Sequence, residues 1–285
     1  MKQALYFKPN PDLSVSCLLC PVGCQIPAEG LGFCGARRNH NGVLYAEGYG
    51  LICSVAIDPI EKKPLYHFCP GTQILSLGSY GCNMRCPFCQ NHRISMEKPR
   101  AEELSVETAV KLALKYKNDG SIGIAYTYNE PFINYEYMLE TARLAKESGL
   151  KNVVITNGYV NEAPLREIVP YIHAMNIDLK GFGSRFYEKL KGGLEDVKRT
   201  IALSAETCHV EITTLVIPGE NDSPSEMEQE AKWLSKINPG IPLHLSRFFP
   251  NYKMTDTPPT PVETLRELKV VAERYLRYVY LGNVR

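Results

Sequence analysis

The feature that most constrains this chain is an alternation that begins at Gln73. Short apolar strand candidates recur at Ile74–Gly78, Ile122–Thr127, Val153–Thr156, Ala174–Leu179, His209–Ile217, Leu243–Phe248 and Tyr278–Leu281. Between them lie stretches with apolar residues three and four apart, among them Val106–Lys117, Ile133–Glu147, Ser225–Lys236 and Val262–Arg274. Repeated strand–helix units need crossover connections, which predicts an α/β fold whose mostly parallel sheet carries its helices outside. About six such units make a partial (β/α)6 barrel of the TIM type. A doubly wound open sheet competes, but no Gly-x-Gly-x-x-Gly turn opens any of the helices.

In a barrel of this kind the chemistry sits at the C-terminal ends of the strands. Those ends deliver Cys82, Cys86 and Cys89, then Thr127, Asn129 and Glu130, then Thr156 and Asn157, then Asp178 and Lys180. Thr213, Thr214 and Glu220 follow, with His244, Ser246 and Arg247 on the sixth strand. Polar groups therefore converge on one mouth. The 32 Lys and Arg residues balance 31 Asp and Glu, so no bulk field recruits nucleic acid or an anionic membrane. No apolar run approaches membrane-spanning length and the start carries no apolar leader, which predicts a cytoplasmic protein.

Ten cysteines in 285 residues are too few for a disulfide scaffold, and seven of them cluster. Cys82, Cys86 and Cys89 stand at C-x3-C-x2-C spacing in a Gly-flanked loop after the first predicted strand. Three soft thiolates suit an iron–sulfur cluster with one iron left open. The alternative is a closed four-ligand cluster or zinc site that borrows Cys53 or Cys69. Cys17, Cys20, Cys24 and Cys34 form the second group, in a Gly- and Pro-rich segment with little periodicity. Four thiols within 18 residues can close a tetrahedral zinc site or a four-cysteine cluster. The composition divides the chain into a Cys-rich amino-terminal module (1–70), a barrel (71–250) and a carboxy-terminal helix and strand that complete or cover it (251–285).

The C-x3-C-x2-C loop with Phe88 before its last cysteine, placed after the first strand of a partial barrel, resembles the radical S-adenosylmethionine (SAM) superfamily. The chain further resembles the pyruvate formate-lyase activating enzyme branch and, within it, the radical SAM component of the AmmeMemoRadiSam system. CLLCPVGC (17–24), GFCGARRN (32–39), AIDPIEKKPLYHF (56–68), GSYGCNMRCPFCQN (78–91), YTYNEP (126–131), ITNG (155–158), NIDLK (176–180) and HLSRFFPNYKM (244–254) carry this likeness. It implies a [4Fe–4S] cluster on Cys82, Cys86 and Cys89 whose open iron is chelated by SAM. The activity implied is reductive cleavage of SAM to a 5′-deoxyadenosyl radical that abstracts hydrogen from a substrate. A reductant such as flavodoxin or ferredoxin is implied as well, together with a protein substrate or partners from the same gene system.

The same resemblance assigns cofactor-binding residues. Glu130 falls where relatives carry the glutamate of a Gly-Gly-Glu motif that holds the SAM amino group. Both glycines are replaced here, and Thr127 and Asn129 are the side chains available to stand in for them. Glu130 also reads as a helix cap ahead of Pro131. Thr156 and Asn157 match the activase segment after the third strand, with Ile155 where activases often have an acid. Asp178 and Lys180 match an Asp-x-Lys after the fourth strand; two residues apart, they share a face, and they also read as a structural ion pair. Phe88 and His244 complete the set, and no residue is assigned to catalysis as such. For Cys17, Cys20, Cys24 and Cys34 the resemblance leans toward an auxiliary [4Fe–4S] cluster over zinc. The activities this leaves open are a SAM-cleaving enzyme with an unidentified substrate, a glycyl-radical-enzyme activase, and a non-enzymatic iron–sulfur electron carrier.

Overall fold

The computed structural model describes residues 1–284. Its frame is one eight-stranded sheet. The chain enters at β1 (Ser54–Pro59) and turns back antiparallel into β2 (Gln73–Gly78). It then adds β3 (Ser121–Tyr126), β4 (Lys151–Thr156), β5 (Ala174–Asp178), β6 (His209–Val216), β7 (Leu243–Arg247) and β8 (Val279–Gly282). Each of these lies parallel to its predecessor. Strand order follows chain order from one edge to the other. Right-handed crossovers made always in the same direction put the crossover helices on one face, the layout of an open, partial barrel.

Six helices cover the outer face: α1 (Val106–Lys115), α2 (Tyr135–Glu147), α3 (Glu162–Ile168), α4 (Leu194–Ala205), α5 (Pro224–Ile237) and α6 (Val262–Ala272). The start of α1 is set by Ser105, whose hydroxyl accepts the Thr108 N–H, and its apolar stripe of Val106, Ala109, Val110 and Ala113 is buried. Most strand and helix expectations lie within two residues of the observed elements. Among the sheet strands and outer helices just named, α3, α4 and β1 lie outside them. The sheet thus takes in residues 54–59 from the segment read as the amino-terminal module. As an edge strand, β1 tolerates Pro59 at its end, since no further ladder bond is needed there.

The rest of the amino-terminal segment forms small antiparallel sheets. One joins 7–9, 15–17 and 25–26, and another joins 2–3, 43–46 and 37–40. A buried ion pair ties them to the barrel. Arg37 reaches Glu136 on α2 with Nη2 at 2.8 and 2.7 Å from the two carboxylate oxygens, and both side chains are 1 % exposed. The same carboxylate accepts the Leu5 N–H at 2.7 Å. Removing one partner leaves a charge buried without its counter-ion, which costs roughly 3–5 kcal/mol. Arg37→Met should therefore destabilise strongly in chemical denaturation, whereas Arg37→Met/Glu136→Gln, which keeps an acceptor for Leu5, should recover much of the loss. Equal destabilisation by the single and double variants would contradict this role.

Candidate active site

The loop from Ser79 to Asn91 leaves β2 at its C-terminal end, and hydrogen bonds fix it on several sides. Gly81 donates to Ile94 O at 2.7 Å, and Arg85 N donates to Leu190 O at 2.8 Å. The Arg85 guanidinium folds back onto the carbonyls of Cys82 and Met84 at 2.7 and 2.8 Å. Asn83 donates to Tyr159 O at 2.6 Å and accepts from Asn157 Nδ2 at 2.9 Å. With the backbone held, Cys82, Cys86 and Cys89 all line one cleft of about 330 Å³ at the mouth of the strands. Cys53 and Cys69 do not line it. Cys53 instead donates its thiol to Ser79 O at 2.9 Å. Three soft donors from a single loop fit a cluster with one iron free of protein. Burial pushes the Cys86 thiol up to about 11, with the nearby Lys180 ammonium acting in the opposite direction, so ligation there must displace protons from buried thiols.

Glu130 lies across the cleft, 3 % exposed. Its Oε1 accepts from Phe132 N at 3.1 Å and from Thr156 Oγ1 at 2.8 Å, and its Oε2 accepts from Asn157 N at 2.8 Å. The two readings of this residue are compatible. It caps the short helical turn Pro131–Asn134, and it lines the cleft with one oxygen, Oε2, that accepts a single hydrogen bond. Despite three donors, burial raises its carboxyl to about 7. Asp178 and Lys180 pair at 2.7 Å, and both line the same cleft. Phe88 stacks on Phe186 with ring centroids 6.2 Å apart and forms part of the wall.

Thr127, Asn129, Thr156 and Asn157 also reach the cleft, but three of these side chains are already engaged. The Asn129 amide donates to Ser79 Oγ at 3.0 Å and Gly81 O at 3.1 Å and accepts from Ser79 N at 3.1 Å. It is a clamp on the cysteine loop rather than a spare donor for a ligand. The Thr156 hydroxyl is held between Glu130 and Gly158 N, and Asn157 Nδ2 approaches Cys82 Sγ at 3.6 Å.

His244 is not brought to the cleft. Its Nε2 meets Glu211 Oε2 at 2.7 Å, and that carboxylate also takes the N–H groups of Tyr66 and His67. Ser246, two residues along the same face of β7, lines the cleft instead. A strand advances about 6.6 Å over two residues, which separates the mouth from this deeper layer.

Sequence reasoning missed a second polar group at the rim. Asp58 on β1 accepts from Lys62 at 2.8 Å, Lys63 at 2.6 Å and the Tyr128 hydroxyl at 2.6 Å. Both lysines and Tyr128 line the cleft. Tyr128 has φ +74°, a conformation natural to glycine. Its carbonyl is held by Asn91 Nδ2 at 2.6 Å and its hydroxyl by Asp58, contacts that hold the strained backbone in place. The only sequence signal was the crowding of charge in Asp58-Pro59-Ile60-Glu61-Lys62-Lys63.

Comparison with known proteins agrees with this geometry. The radical SAM superfamily profile matches residues 77–234. An uncharacterized protein of Methanocaldococcus jannaschii is 45% identical over 291 residues, covering 100% of this chain and 86% of the relative. The pyruvate formate-lyase-activating enzyme of Clostridium pasteurianum is 24% identical over 151 residues, 50% of this chain and 63% of that enzyme. A solved radical SAM methyltransferase from Sphaerobacter thermophilus shares the fold, with a TM-score of 0.53 at 16% identity over 82% of this chain and 77% of that chain.

The raised Glu130 carboxyl makes a pH prediction. The folded state keeps a proton that the unfolded chain releases between about pH 4.5 and 7. Stability from this group is therefore full below the lower value and is lost as pH rises through the upper one, at up to about 1.4 kcal/mol per pH unit. Denaturant unfolding of the metal-free protein at pH 5, 6 and 7 should show this slope, and Glu130→Gln should reduce it, leaving the part contributed by Glu230, whose carboxyl burial raises to about 8. Equal slopes in parent and variant would mean that Glu130 is ionised throughout.

Proposed function

Because the chain belongs to the radical SAM superfamily, we propose that its cleft binds SAM beside a [4Fe–4S] cluster on Cys82, Cys86 and Cys89 and directs hydrogen abstraction from a substrate entering at the same mouth. When bound, the pair supplies hydrogen-atom abstraction by a 5′-deoxyadenosyl radical. One observation carries the reading: three thiols without a fourth cysteine face a buried carboxylate and a half-buried ammonium across a single cleft. Glu130 Oε2 offers an acceptor to an ammonium group, and the charge-assisted bond would offset the desolvation that raises its own carboxyl. Lys180, held by Asp178, offers the opposite charge to a carboxylate. Phe88, backed by its stacking partner Phe186, gives a planar ligand an apolar wall.

For the target, the likeness to a pyruvate formate-lyase-activating enzyme supports an activase that forms a glycyl radical on a partner protein. The sequence strings from residue 17 to residue 254 support membership of the AmmeMemoRadiSam group, with partners from that gene system and a flavodoxin or ferredoxin as electron donor.

Anaerobically reconstituted, dithionite-reduced protein given SAM should yield 5′-deoxyadenosine, measured by chromatography. Cys82→Ala, Cys86→Ala and Cys89→Ala should each abolish the product. Glu130→Ala should retain its iron yet bind SAM about tenfold or more weakly, since an ammonium left without its carboxylate costs about 1–3 kcal/mol. Product formation by the three cysteine variants would overturn the reading, and unchanged SAM affinity in Glu130→Ala would reduce Glu130 to a helix cap.

A further inference from the structure

We propose that Cys17, Cys20, Cys24 and Cys34 hold a second [4Fe–4S] cluster, set directly against the site at Cys82, Cys86 and Cys89. The amino-terminal turns bring the four thiols to one small cavity. Cys17 ends a strand and donates its N–H to Cys24 O at 2.9 Å, closing the loop that carries Cys20. Cys34 lies in the turn that Gly35 closes onto Gly32 O at 2.9 Å. Besides these thiols, the polar side chains at the cavity are those of Arg37 and Asn83; the remaining lining is apolar or glycine.

Arg37 points to a missing acceptor. Its Nη2 is taken by Glu136, but its buried Nε–H has no partner. Buried donors are rarely left unpaired, and a thiolate or sulfide in this cavity would satisfy it while the guanidinium offsets the charge of four thiolates. Four soft thiolates lining one cavity suit an iron–sulfur cluster, and a closed zinc site is the competing outcome. A single zinc would draw four sulfurs to about 2.3 Å from one centre, whereas a cubane core spreads the same soft ligands around several irons.

The two sites share a wall. Cys82 N–H donates to Cys34 O at 3.2 Å, joining a ligand of one site to a ligand of the other. Gly81 makes the approach possible: it turns at φ +87°, and any Cβ there would run into the Cys34 carbonyl. Along the same loop Cys82 faces the cleft and Asn83 faces the amino-terminal cavity. Two clusters so placed interact magnetically when both are reduced. The magnetic coupling requires the cluster proposed for the cleft; the second site itself does not.

The test is metal analysis and electron paramagnetic resonance of the full chain, reconstituted anaerobically with iron and sulfide and reduced with dithionite. The parent should hold about eight irons and no zinc, with a spectrum broadened or split by spin–spin interaction. Cys20→Ala/Cys24→Ala should fall to about four irons and give a single uncoupled signal, while the triple Cys82/Cys86/Cys89→Ala variant should also keep about four. About four irons plus one zinc in the parent, or about four with no zinc, would overturn the second cluster. About eight irons with two non-interacting signals would overturn the juxtaposition. The parent counts decide the matter even if a variant does not fold. Loss of all iron from the triple variant would overturn the independence of the second site, whereas a failed SAM response alone would fall on the cleft reading.

Discussion

The site depends on a buried carboxylate that three donors from two pieces of the chain must satisfy at once. Glu130 follows β3, and its donors are Phe132 in the next turn and Thr156 and Asn157 at the end of β4. Desolvation penalises its charge, and the three donors only partly offset that penalty. The arrangement is stable enough to persist and unsatisfied enough to favour a cation. It also fixes the spacing of two strand ends, so that Asn157 can continue the network to Asn83 and Cys82. Positioning of the carboxylate and of the cysteine loop is thus one problem solved by one set of hydrogen bonds.

The amino-terminal segment forms part of this support. Cys34 meets Cys82 backbone to backbone, Arg37 docks on α2, and β1 extends the sheet and supplies Asp58 to the cleft rim. The three-thiol loop is anchored in the core by Tyr80, Met84 and Phe88. Polar contacts orient it further, from Asn129 on one side to Arg85 and Asn83 on the others. Buried polar networks of this kind specify geometry only when every member is paired.

The sequence made the barrel legible because period-2 and period-3.6 patterns alternate cleanly after Gln73 and because chemistry in such folds gathers at strand ends. Cys82, Glu130, Asp178 and Lys180 were visible on that ground. Alternation also placed His244 and Ser246 on one face correctly, but it carries no information on depth, and His244 belongs to the Glu211 layer below the mouth. Asn129 had the right chemistry for a ligand donor, yet its amide is engaged by Ser79 and Gly81, residues 50 and 48 positions away. The contact from Asp58 to Tyr128 likewise crosses from the edge strand to the end of β3, which no local pattern reveals. α4 was hidden by its charged first turn after Gly192-Gly193, and β1 by its place in a segment of Gly, Pro and Cys without sustained periodicity.

The central claim is that the open side of the three-thiol site and the free lone pair of Glu130 face the same ligand. A crystal structure of the anaerobically reconstituted protein with SAM bound tests this most directly. The account predicts a cluster held by Cys82, Cys86 and Cys89 alone, with the SAM amino group in hydrogen-bond contact with Glu130 Oε2. A fourth protein ligand on that cluster, or an amino group bound away from Glu130, would contradict it.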